Sequence, residues 1–100
     1  MNVKISSEVE KTVVYLSGSI DIPGAESLKK FLTQILEDDT VKEASIDFEG
    51  VNFIGSSGIG KLLLFYKNFT SKGGKVQIVN LNKEIAALFK AIKLDKLFNI

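Results

Sequence analysis

Phe53-Ile54-Gly55-Ser56-Ser57-Gly58-Ile59-Gly60-Lys61 is the stretch from which the rest of the chain is read. Two bulky apolar residues run into small ones, and an amphipathic apolar segment follows over residues 62–69. That succession predicts a tight, glycine-flanked bend feeding the first turn of a helix. Glycine lets the backbone turn sharply and leaves it bare to an approaching partner. Serines at a helix start lie where the first N–H groups lack internal acceptors. A hydroxyl there is exposed, and the helix end favours an anion beside it.

Downstream of the bend, Ile59, Leu62, Leu63, Tyr66 and Phe69 share one face of a helix. Leu64 and Phe65 widen that face, which predicts a well buried helix. Ser71-Lys72-Gly73-Gly74 is a glycine stop. Residues 75–80 read as a strand, with Val76 and Ile78 on one face and Gln77 between them. Asn82 is placed to cap a third helix whose face is Ile85, Leu88, Phe89 and Ile92. At the end of the chain, Leu97, Phe98 and Ile100 are expected to dock on the domain.

Upstream, residues 44–48 alternate and predict a strand, with residues 49–53 as a short connector. Ala25, Leu28, Phe31, Leu32, Ile35 and Leu36 recur at helical spacing. Pro23 suits the first turn of that helix, Asp21 suits its positive end, and residues 37–40 are a polar stop. Residues 12–18 are β-branched and aromatic, a strand; residues 3–5 are a short edge strand. The polar residues 7–11 between them predict a hairpin.

The expected order is therefore β-β-α-β-α-β-α. Strands joined through helices run parallel with right-handed crossovers. Strands in sequence order put both crossover helices on one face. Ala44, Ile46 and Phe48 point one way while Ser45 and Asp47 point the other, so one sheet face is covered and the other partly open. The expectation is an α/β fold in one domain, residues 1–100: a four-stranded mixed sheet with helices mainly on one face. Residues 55–60 and 21–25 then meet at the C-terminal edge of the sheet, where such folds place their sites.

Composition narrows the chemistry. One hundred residues with 45% apolar content suffice for one core. A formal net charge of +1 leaves no basic footprint for nucleic acid. The chain has no Cys and no His, which removes the usual zinc sites and any Ser-His or Cys-His nucleophile. No secretory signal and no membrane-length apolar run is legible, so the expected location is cytoplasmic, without membrane insertion. The oligomeric expectation is a monomer or a weak dimer.

The bend itself allows several readings. Gly55 to Lys61 fits the G-x-x-x-x-G-K of a phosphate-binding loop, but the next position must offer a hydroxyl to magnesium and is Leu62. A degenerate nucleotide-binding loop is therefore one alternative. The G-x-G-x-x-G spacing of a dinucleotide loop is absent. A serine nucleophile has no histidine base, only Lys61. The plainest reading is a turn and helix cap without chemistry.

A resemblance adds a fifth reading. The whole chain resembles a STAS domain, of the kind found in bacterial anti-sigma factor antagonists. That family carries Asp-Ser-[Ser/Thr/Ala]-Gly-[Leu/Ile]-Gly at the start of its second helix; here the motif stands as Gly55-Ser56-Ser57-Gly58-Ile59-Gly60. Gly18-Ser19-Ile20-Asp21 resembles its Gly-x-Leu/Ile-Asp before the first helix, and residues 51–54 suit its connector. The resemblance implies that Ser56 is the phosphoacceptor. It implies a partner-binding surface of Asp21, Gly55, Ser56, Ser57, Gly58 and Ile59. The implied partner is an anti-sigma factor that doubles as a serine kinase and holds the ATP; phosphorylation releases the protein and a phosphatase resets it. No catalytic activity, cofactor or metal is implied for the chain itself. Gly55 departs from the family's Asp, and the family's usual last helix is expected to be missing or shortened. STAS domains without the full motif often bind partners without being phosphorylated, so an accessory subunit of a transporter or signalling complex is the other alternative.

Overall fold

A computed structural model describes residues 1–100. Strand β1 (Asn2–Glu8) and strand β2 (Lys11–Ile20) form an antiparallel hairpin, from Asn2 opposite Ser17 to Glu8 opposite Lys11. Both strands run longer than expected, because ladder hydrogen bonds hold polar residues that carry no apolar alternation. The turn shrinks to Val9 and Glu10, and Glu10 takes φ 63 to close it. Helix α1 (Ile22–Glu37) carries β2 over to strand β3 (Glu43–Ile54). Helix α2 (Ser56–Ser71) carries β3 over to strand β4 (Lys75–Val79), and helix α3 (Lys83–Ala91) follows. The sheet order is β1-β2-β3-β4, with β2, β3 and β4 mutually parallel. This is the four-stranded mixed sheet expected.

The expected connector at residues 49–53 is instead the second half of β3. β3 gains an extra residue against β2 twice, between the pairs Tyr15–Asp47 and Ser17–Gly50, and again between Gly18–Val51 and Ser19–Phe53. Such bulges bend and twist the strand while pairing resumes beyond them. Val51 and Ile54 are buried while Glu49, Gly50, Asn52 and Phe53 are exposed. Burial with a spacing of three hides the alternation by which a strand is recognised. Gly18 sits at the second slip with φ +93, a conformation that side-chain-bearing residues avoid.

The core lies between the sheet and the helices. Val14, Leu16, Ala44, Ile46, Phe48, Val76 and Ile78 meet Ala25, Leu28 and Leu32 of α1 and Leu62, Phe65 and Phe69 of α2. α1 and α2 pack side by side on this layer. α3 and the chain end close it through rings: Phe48 meets Phe89 edge-on at 6.2 Å, and Tyr66 meets Phe98 at 5.5 Å. Phe98 docks as expected, but Leu97 and Ile100 face solvent. Leu88 and Ile92 of α3 are likewise exposed, because α3 rests on the core along a narrow stripe through Ile85 and Phe89.

Two details of the expected burial change. Leu64 is 52% exposed: it lies opposite the Leu62–Phe65–Phe69 stripe, and nothing covers the outer side of α2. Ser45 and Asp47, on the open sheet face, are buried even so. β3 is a central strand, and Val13, Tyr15, Gln77 and Val79 stand beside them in register. The Asp47 carboxylate accepts from the Glu49 N–H at 2.8 Å and from Asn80 Nδ2 at 3.1 Å, so its burial leaves no orphan.

Candidate functional site

Both crossover helices begin at the same end of the sheet. The Gly55 N–H donates to the Ile20 carbonyl at 3.0 Å, which ties the end of β3 to the end of β2. Each strand therefore delivers its helix start to the same place. Asp21 is the N-cap of α1; its Oδ1 accepts from the Gly24 N–H at 2.9 Å, and Pro23 stands in the first turn, where a missing N–H costs nothing.

α2 begins one residue after Gly55, so residues 56–60 are helix rather than loop. The bend expected over residues 55–60 is confined to Gly55, with φ −96 and ψ 176. Intrahelical bonding starts with the Ile59 N–H on the Gly55 carbonyl at 3.1 Å. The N–H groups of Ser56, Ser57 and Gly58 have no intrahelical acceptor, no side chain caps them, and the first turn contains no acid. A phosphate cradle needs a loop that curls around the anion before the helix begins. Here the helix has already begun, and Leu62 is buried, so the degenerate nucleotide-loop alternative fails on geometry.

The two helix starts frame a groove of about 400 Å³ lined by Asp21, Ile22, Pro23, Phe53, Gly55, Ser56 and Ser57. Ser56 is exposed in it and Ser57 is half-buried. Of the sequence-predicted residues, the groove gathers Asp21, Gly55, Ser56 and Ser57. Gly58 and Ile59 do not line it. Gly58 is buried beneath, where an added Cβ would stand 2.6 Å from Ile20 Cγ2 and 3.0 Å from Ile54 Cγ1. Its missing side chain serves close packing of α2 on the sheet, not exposure of the backbone. Ile59 leans on the core. Lys61 is half-buried and pairs with Glu26 of α1 at 3.4 Å, joining the two helices beside the groove.

Sequence reasoning missed the groove's apolar rim. Ile22 is 71% exposed and Phe53 52% exposed. The signal for Ile22 was present: seven residues before Lys29, it falls on the polar face of α1. Phe53 carried no such signal, because the bulges that turn it outward are set by pairing with β2. Exposed apolar side chains gathered at a concavity, with polar groups beside them, mark a place where another protein docks.

This arrangement suits a switch better than a reaction. At pH 7 a phosphate on the Ser56 hydroxyl would add about 1.5 to 2 negative charges at the bare end of α2. A helix N-terminus favours such charge by about 0.3–2 kcal/mol, so the fold would survive it. A partner packed over the groove would have to bury the new charge, at a cost of several kcal/mol.

Comparison with known proteins places this geometry. An anti-sigma F factor antagonist of Paenibacillus polymyxa is 26% identical over 102 residues, spanning 100% of this chain and 87% of that protein. The crystal structure of an anti-sigma factor antagonist from Mycobacterium paratuberculosis superposes with a TM-score of 0.85 at 25% identity, over 97% of this chain and 81% of that one. The Bacillus cell fate determinant SpoIIAA in its phosphorylated form superposes with a TM-score of 0.79 at 20% identity, over 96% of this chain and 87% of that one. No helix of the present chain is long and apolar enough to cross a membrane. Sheet order, helix placement and a match running over residues 1–100 agree: the chain belongs to the STAS domain family.

Proposed function

We propose that this protein is an anti-sigma factor antagonist that works in the cytoplasm by partner switching. Its partner is an anti-sigma factor that is also a serine kinase. The unphosphorylated protein seats that partner on the groove between the starts of α1 and α2 and so frees the sigma factor. Transfer of the partner's ATP γ-phosphoryl group to Ser56 Oγ ends the interaction, and a phosphatase restores it. The chain contributes no catalysis and no cofactor; it supplies the acceptor hydroxyl and the docking surface. One observation carries this reading: Ser56 is exposed at the uncapped start of α2, in a groove rimmed by solvent-facing Ile22 and Phe53. The names of the two anti-sigma factor antagonists and the phosphorylated form of SpoIIAA support it.

Gly55 favours a second reading. Where the family motif has Asp, this chain offers no carboxylate to a kinase. A STAS module that binds its partner through the same groove and never takes phosphate, as an accessory subunit of a transporter or signalling complex, fits that residue. Incubation with the cognate kinase and ATP separates the two. The partner-switching reading expects a mass gain of one phosphoryl group, absent in Ser56→Ala, and weakened partner binding in Ser56→Asp. No mass gain, together with undiminished binding by Ser56→Asp, leaves the accessory-module reading.

A further inference from the structure

The two edges of the sheet differ. Along β4 the Ile78 N–H donates to the Phe98 carbonyl at 3.1 Å, so the chain end covers part of that five-residue edge. Along β1 no backbone hydrogen bond other than its ladder with β2 reaches residues 2–8. Seven residues of strand therefore present their outward N–H and C=O groups to solvent, with no proline to interrupt them. A bare edge of this length is a template for a further strand.

We infer that β1 is the seam of a symmetric dimer, in which β1 of a second copy pairs with it antiparallel about a two-fold axis through Ser6. The charges select this occupant and this register. Lys4 and Glu8 lie two residues either side of Ser6, and side-chain alternation puts both on the open face of the sheet. Pairing about Ser6 sets each Lys4 directly opposite Glu8 of the second copy, twice by symmetry. Neither residue makes an ion pair within its own chain, where the pairs are Lys61–Glu26 and Lys72–Asp39, although Lys11 stands opposite Glu8 in the ladder with β2. Just beyond the end of that ladder, the same register brings half-buried Val3 alongside the turn residue Val9, which at 92% exposure has no cover within its own chain. The two sheets become one of eight strands, and the edge that invites uncontrolled pairing is closed by a symmetric contact. The groove opens at the ends of β2 and β3, so the seam leaves it uncovered, and the inference stands apart from the proposed function.

Sedimentation equilibrium of the full chain, from micromolar to millimolar concentration, tests it. The expected result is a reversible monomer–dimer equilibrium that weakens with added salt. Lys4→Glu alone, or Glu8→Lys alone, sets like charges against each other twice and weakens the dimer about tenfold. The double variant Lys4→Glu, Glu8→Lys restores the opposite pairing and the affinity. Both side chains are exposed, and far-UV circular dichroism confirms that each variant keeps its fold. A chain that stays monomeric throughout overturns the inference. So does a dimer indifferent to the single changes, or one that the double variant fails to restore.

Discussion

Gly58 lacks a side chain because none fits. Its Cα faces Ile20 and Ile54 so closely that a methyl group would stand 2.6 Å from one and 3.0 Å from the other. Both isoleucines are themselves buried, so neither can swing away. Gly58→Ala is expected to cost about 1–3 kcal/mol through overpacking, read as a lower urea midpoint at unchanged m-value. An unshifted midpoint would mean that α2 can lift off the sheet freely. Gly55 is the opposite case. An added Cβ there comes no closer than 3.5 Å to Phe53, and the backbone is extended. Gly55→Asp puts a carboxylate at the N-cap of α2, within reach of N–H groups that now lack acceptors. It should stabilise the fold by about 0.5 kcal/mol and raise Tm by about 2–4 °C in calorimetry. No rise would mean that water already serves those N–H groups as well. Gly58 was legible in the sequence as a small residue near a helix start. Its reason was not, because Ile20 lies thirty-eight positions away along the chain and meets it only in the folded sheet.

Caps and stripes show which elements the sequence could specify alone. Asn82 was legible as a cap, and its Oδ1 accepts from the Ile85 N–H at 2.8 Å. Its Nδ2 also reaches the Val51 carbonyl at 3.4 Å, tying α3 to β3, which no local pattern announces. Asn82→Ala should therefore cost about 1 kcal/mol or slightly more, measured as a fall in Tm, and Asn82→Asp should recover the capping share. Full recovery by Asp would show that the cross-connection to Val51 contributes nothing. Helix α2 was legible in place and type, yet its buried width was overestimated. A helix lying in a single layer on a sheet buries only the stripe that meets sheet and neighbouring helix, so Leu64 stays out. β3 illustrates the reverse failure: its second half is ordinary strand, but two bulges replace the period of two with a spacing that reads as irregular chain.

The assembled molecule puts two helix starts, a hydroxyl and an apolar rim at one end of the sheet. Ile22 and Phe53 contribute little to the core, so the double change Ile22→Ala, Phe53→Ala should leave Tm nearly unmoved. If the groove is the docking surface, the same change should weaken binding to the cognate anti-sigma factor by about tenfold or more in calorimetry, as loss of apolar anchors does. Undiminished affinity would move the docking surface elsewhere on the domain.

By itself the sequence determined the order of elements, most of the residues of the core and the presence of a small-residue helix start carrying Ser56. Those follow from side-chain period, cap chemistry and the limited ways of joining strands through helices, all local or nearly so. Only the tertiary structure decided that Gly58 is a packing residue, that Phe53 faces outward, and that Asp47 is buried yet satisfied. Each of these depends on what a strand or helix distant in sequence places alongside, and spacing along one chain segment does not encode its neighbour across the sheet.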